Sequence, residues 1–94
     1  MKHCILAKWA GNVTDKAALL PQIRALMYPA STIPGVRGVE VYPCCVDRAN
    51  RYDLMIMLDM DKDALPNWDA SDIHHRWKDE YGGLLEKKAI FDYE

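Results

Sequence analysis

Residues 2–9 alternate with a two-residue period. His3, Ile5, Ala7 and Trp9 fall on one side and Cys4, Leu6 and Lys8 on the other, which predicts a strand. Gly11-Asn12 breaks the run. Thr14 is the expected N-cap of a helix, with Asp15 behind it suiting the positive helix end. Leu19, Ile23, Leu26 and Met27 then recur on one helical face, and Pro21 inside that pattern predicts a kink or a late start. Residues 28–35 carry Pro29 and Pro34 and read as loop. A second strand is expected from Val36 to about Cys44, centred on Val39 and Val41, and a turn over 47–50. Residues 52–60 give the clearest strand: Leu54, Ile56 and Leu58 face one way, Met55 and Met57 the other. Residues 61–67 read as a short helix disturbed by Pro66. A further helix is predicted over about 72–81, ended by Gly82-Gly83, and a last strand over 87–93.

The element order β-α-β-β-α-β predicts an α+β, ferredoxin-like architecture, an antiparallel sheet with helices on one face. The strand over 52–60 is apolar on both faces, although helices can cover only one. A sheet face carrying Met55, Met57, Cys4 and Leu6 needs cover, and a second copy of the same sheet supplies it. A two-fold homodimer with Met55 and Met57 at its interface is therefore expected, the alternatives being a partly exposed apolar face or cover from the chain's own tail.

The chain of 94 residues fits a single domain spanning 1–94. The net charge of −2 and the absence of any basic block remove the electrostatic footprint of a nucleic-acid binder. The apolar run between Lys2 and Lys8 is too short for a signal peptide, and no later stretch suits a bilayer. Cys4, Cys44 and Cys45 are odd in number and lack a Cys-x-x-Cys spacing. A reduced, cytoplasmic chain without a structural disulfide is the expectation.

Chemistry concentrates at Trp68-Asp69-Ala70-Ser71-Asp72-Ile73-His74-His75, where a polar turn opens the last helix. Imidazole is the side chain whose ordinary pKa lies nearest neutral pH. Asp72 and Arg76, four apart, are expected to pair. His74 and His75 lie about 100° apart on a helix. His74 shares a face with Trp77 and Tyr81, so it is expected inward and His75 outward. His3 opens the first strand on the same sheet side. A histidine at a helix start often only bonds a backbone carbonyl, and that is the competing role. The other role is proton abstraction in a cavity, with His74 as base and His3 orienting the substrate. Ile5, Ala7, Ile56, Trp68 and Trp77 are the expected pocket walls.

Other chemistries find no footing. The two adjacent histidines lack the i, i+4 spacing of a shared metal ion, and Cys44-Cys45 should point to opposite faces. Asp59, Asp61 and Asp63 resemble part of a calcium loop without its glycine and closing glutamate, and read instead as a solvated turn with capping duty. No phosphate loop or Gly-x-Ser-x-Gly elbow is present. Neither a metal nor a cofactor is expected.

Met1-Lys2-His3-Cys4-Ile5-Leu6-Ala7-Lys8-Trp9, Ile33-Pro34-Gly35-Val36 with Val39-Glu40-Val41, and Ile90-Phe91-Asp92-Tyr93 resemble the stress-responsive dimeric α/β-barrel (Dabb) family in order and spacing. The resemblance covers nearly the whole chain. It implies a ferredoxin-like fold whose sheets pair face to face in a homodimer. The family's olivetolic acid cyclase branch closes a linear polyketide by aldol condensation. Its His-Pro-x-His motif falls on Ser71-Asp72-Ile73-His74, so only the final histidine, the implied base, is retained. His3 matches a pocket histidine of that branch, and Trp68 replaces a tyrosine six residues before the base. The resulting expectation is a homodimer that binds a small hydrophobic ligand near His74. The alternative is a cofactor-free enzyme that uses His74 as general base on a carbonyl compound.

Overall fold

Strand β1 (Lys2–Trp9) is the pivot of the computed structural model, which describes residues 1–94. It is followed by helix α1 (Lys16–Met27), strands β2 (Val36–Pro43) and β3 (Leu54–Met60), helices α2 (Leu65–Asp69) and α3 (Asp72–Tyr81), and strand β4 (Leu85–Tyr93). The sheet order is β2-β3-β1-β4, antiparallel throughout. β1 pairs His3 with Leu58 on one side and with Asp92 on the other. This is the ferredoxin-like arrangement expected from the element order.

The two-residue period decides which side chains meet the helices. His3, Ile5, Ala7 and Trp9 are buried, as are Leu54, Ile56, Leu58 and Met60 across from them. All of these except His3 belong, with Ile23, Leu26, Met27, Trp68 and Trp77 from the helices, to one core cluster of 17 buried residues. The other sheet face carries Leu6, Met55 and Met57 half-buried, and Tyr42, Phe91 and Tyr93 exposed. Phe91 is 64% exposed, the kind of apolar surface that a partner normally covers.

Several local expectations are corrected. Asp15, not Thr14, caps α1: its carboxylate accepts the Ala18 N–H at 3.1 Å. An aspartate there supplies both a cap acceptor and a charge against the positive helix end. Pro21 causes no late start, since α1 is continuous from Lys16. Pro21 and Ala17 are both exposed, so water can take the Ala17 carbonyl that proline leaves without a donor. Residues Tyr28–Thr32 form a 3-10 turn rather than open loop, entered through Pro29 with its preset φ. Pro66 opens α2 rather than disturbing it, because a proline in the first turn removes an N–H that has no helical partner. Asp61 precedes a 3-10 turn without capping it through its side chain. Its carboxylate pairs with Arg37, which also reaches Asp59 at 3.1 Å. Lys2 and Arg37 together hold the Asp59 carboxyl below its ordinary value. All three cysteines carry free thiols, Cys4 buried and Cys44 and Cys45 exposed. No helix is long and apolar enough to cross a membrane.

Gly35 sets how β2 approaches the turn before α2. Its φ is +86°, and a Cβ there would lie 2.5 Å from the Ala64 Cβ. Its carbonyl also accepts the Asp61 N–H at 2.8 Å. Gly35→Ala combines a left-handed backbone without glycine and an overpacked contact, a loss of roughly 2–5 kcal/mol. Urea denaturation checks it; a loss below about 1 kcal/mol would mean that the Ala64 turn yields easily.

Candidate functional site: two imidazoles about one indole

The sequence from Trp68 to His75 folds as a helix end, a corner and a helix start. Ser71 caps α3, its Oγ accepting the His74 N–H at 3.1 Å while its hydroxyl donates to the Trp68 carbonyl at 2.7 Å. A serine where the cyclase motif has its first histidine thus has a structural job that serine does well. The corner turns the His74 ring back onto Trp68, with ring centres 5.1 Å apart. His74 is half-buried and His75 exposed, the phase set by Trp77 and Tyr81. Trp77 stacks on Tyr81 at 5.8 Å, and the Tyr81 hydroxyl donates to Gln22 at 3.2 Å, anchoring α3 to α1. Arg76 pairs with Glu80 at 3.0 Å and not with Asp72. Asp72 already faces the positive helix end and needs no cation.

His3 approaches the same indole from the sheet, with ring centres 6.4 Å apart. It is the one buried polar or charged residue of the chain. Its Nδ1–H donates to the Asp92 carboxylate at 2.5 Å, a pair created by the β1–β4 register. His74 Nδ1–H donates to the Asp69 carbonyl at 2.9 Å, and His75 Nδ1–H to the Ser71 carbonyl at 2.8 Å. A carbonyl only accepts, so the neutral His74 ring carries its proton on Nδ1 and leaves the Nε2 lone pair free. The carboxylate beside His3 favours the same tautomer there. Arg24 Nε is the only enclosed side-chain nitrogen or oxygen without a partner. The second nitrogen of His3 is therefore not sealed in. Burial, with the nearby Asp92 charge adding to it, pushes the Cys4 thiol above its ordinary value, so Cys4 stays protonated.

The expected pocket walls lie elsewhere in the architecture than a wall would. Ile5, Ala7, Ile56, Trp68 and Trp77 are at most 2% exposed and pack in the core. Trp68 itself is buried and lies within 6.4 Å of both the His3 and the His74 ring centres. A cleft of about 490 Å³ and a hollow of about 310 Å³ are both lined by other residues. No three His, Cys, Asp or Glu side chains converge as a metal set. Asp92 and the Asp69 carbonyl are the participants that sequence reasoning missed. Asp92 could have been found only by knowing which β4 residue stands opposite His3, and strand register across 89 residues of chain has no local signal.

No protein-family model matches the sequence, and no curated protein matches it. Solved structures do. A dimeric protein of unknown function with a ferredoxin-like fold from Bacteroides fragilis is 18% identical with a TM-score of 0.81, over 99% of this chain and 93% of that one. A Dabb family protein with a ferredoxin-like fold from Mesorhizobium loti is 18% identical with a TM-score of 0.71, again over 99% and 93%. The hydroxynitrile lyase of Passiflora edulis is 16% identical with a TM-score of 0.73, over 98% of this chain and 89% of that one. The chain carries the ferredoxin-like fold that the Bacteroides fragilis and Mesorhizobium loti proteins share.

Proposed function

We propose that this protein is a stress-responsive Dabb homodimer that binds a small hydrophobic, carbonyl-containing ligand beside His74. The observation that supports the ligand is the pair of imidazoles next to Trp68, each with Nδ1 engaged and Nε2 free. Such nitrogens can orient a carbonyl compound or its enol, while the indole gives its apolar part a surface. The homodimer rests on the uncovered face with Leu6, Met55, Met57 and Phe91, and on the dimeric state of neighbours with this fold. Ile5, Ala7, Ile56 and Trp68 are packed in the core, so the ligand enters at the half-buried His74 edge and not deep among them. A reduced, cytoplasmic setting suits the free thiols.

One observation favours a second reading, a cofactor-free enzyme. The Asp69 carbonyl fixes the His74 tautomer that a general base requires. A neighbour of this fold is a hydroxynitrile lyase, although fold alone does not carry activity across. In this reading His74 removes a proton next to a carbonyl, and the His3–Asp92 pair steadies the enolate. One positioned base contributes about 10²–10⁴-fold in rate. A panel of β-keto compounds assayed with wild type and His74→Ala tests both readings. Saturable binding that weakens in His74→Ala without turnover supports the ligand-binding reading. His74-dependent turnover supports the enzyme, and indifference to His74 in both assays removes the site.

A further inference from the structure

The cleft of about 490 Å³ lies at the far end of β1 from His3, between the start of α1 and the chain that links β2 to β3. Its volume falls within the roughly 300–1,000 Å³ typical of small-molecule sites. Trp9, Leu20, Val46 and Leu54 contribute apolar walls.

The charge around it is lopsided. Lys8, Lys16, Arg48 and Arg51 line the cleft against Asp47 and Asp53, on a chain whose net charge is −2. Only one of the four cations is matched to a carboxylate: Lys16 pairs with Asp53 at 3.0 Å, and that carboxylate holds its ammonium above the ordinary value. Lys8 Nζ donates to two backbone carbonyls, Ala49 at 2.8 Å and Arg51 at 3.0 Å. Arg51 donates to the neutral Asn50 side chain. The Arg48 carbonyl accepts the Arg51 N–H at 3.1 Å, but its guanidinium has no hydrogen-bond or ion-pair partner.

The frame holding these groups is already tied down. Asp53 accepts the Trp9 N–H at 2.7 Å, and its own N–H donates to Ala7 at 2.8 Å. The Lys8 bonds fasten the linking chain over the cleft. Order present before binding lowers the cost of binding.

We propose that this cleft is a second binding site, for a small amphipathic monocarboxylate. Its head group sits on the free guanidinium fork of Arg48, with the Lys8 and Arg51 charges adding attraction, and its apolar body lies along Trp9 and Leu20. A planar guanidinium matches a carboxylate with two parallel bonds. The site is separate from the one beside Trp68 and does not depend on it.

Octanoate, titrated into the labelled protein and followed by two-dimensional NMR, tests the proposal. Saturable shifts are expected at Trp9, Leu20 and Val46. Arg48→Gln should weaken binding about tenfold, the loss of one charged hydrogen-bond pair at a partly open site. Ala17→Trp, at an exposed helix position lining the cleft, should fill it and abolish binding while the remaining spectrum stays folded. His74→Ala should bind octanoate like wild type. Octanol binding as tightly as octanoate would overturn the charge argument, and octyl phosphate binding more tightly would overturn the carboxylate. Shifts confined to Met55 and Phe91, or unchanged affinity in Arg48→Gln, would remove the site altogether.

Discussion

Trp68→Ala is expected to lower folding stability by about 3–5 kcal/mol, the usual range for removing a fully buried aromatic side chain. Trp68 is 1% exposed and packs in the core under the α2–α3 corner. At 0.05–0.15 kcal/mol per residue, a 94-residue chain holds roughly 5–14 kcal/mol in total. The substitution therefore removes about a fifth of it or more. With each kcal/mol worth about 4–8 °C in a domain of this size, Tm should fall by at least about 12 °C. Trp68→Phe keeps an aromatic body and should fall much less. Thermal unfolding followed by circular dichroism reads both. A drop of only a few degrees for the alanine variant would show that the indole is not a packed element, and would weaken its role as the surface beside His3 and His74.

Met57→Asp should convert the proposed dimer into a monomer. Met57 stands opposite Cys4 and Glu40 in the sheet and lies half-buried on the face away from the helices. The Tyr93 hydroxyl reaches its sulfur at 3.9 Å, so the residue sits within the apolar patch and not at its rim. Two-fold symmetry places each substitution in the interface twice. An unpaired carboxylate there costs several kcal/mol, and 1.4 kcal/mol is tenfold in Kd. The dimer Kd should rise by at least about a thousandfold. Met55→Asp should act alike, because Met55 faces the same way between Leu6 and Tyr42. Sedimentation velocity at micromolar concentration separates the outcomes. A wild type that is already monomeric there would dispose of the homodimer, and a Met57→Asp dimer would move its interface off this face.

Much of the fold was legible because it depends on local periods. The alternation of His3, Ile5, Ala7 and Trp9 placed β1 and its inward side, and the polar turn before Asp72 with Gly82-Gly83 bounded α3. The doubly apolar strand with Met55 and Met57 showed that one sheet face lacks cover within the chain. Expectations failed where a second residue within reach competes for the same role. Asp15 caps in place of Thr14, and Glu80 takes Arg76 in place of Asp72. Pro21 and Pro66 misled for a related reason. Proline's cost depends on whether the lost bond faces water and on its place in the first turn.

The candidate site was legible in half. Helical phase separated His74 from His75, since the step of 100° per residue is a property of the sequence once the helix is known. What lies around His74 was not legible. The His3–Asp92 bond needs the β1–β4 register, the closeness of Trp68 to both imidazoles needs the α2–α3 corner, and the burial of Ile5, Ala7 and Ile56 needs the packed helices. The cationic cleft joins Lys8, Lys16 and Arg48 from three separate segments and leaves no trace in composition. The sequence by itself determined the order of elements, the inward faces and His74 as the inward imidazole, because those follow from the repeat of the backbone. Only the tertiary structure decided which groups touch, because long-range pairing is set by the whole sheet and core at once and not by any one segment.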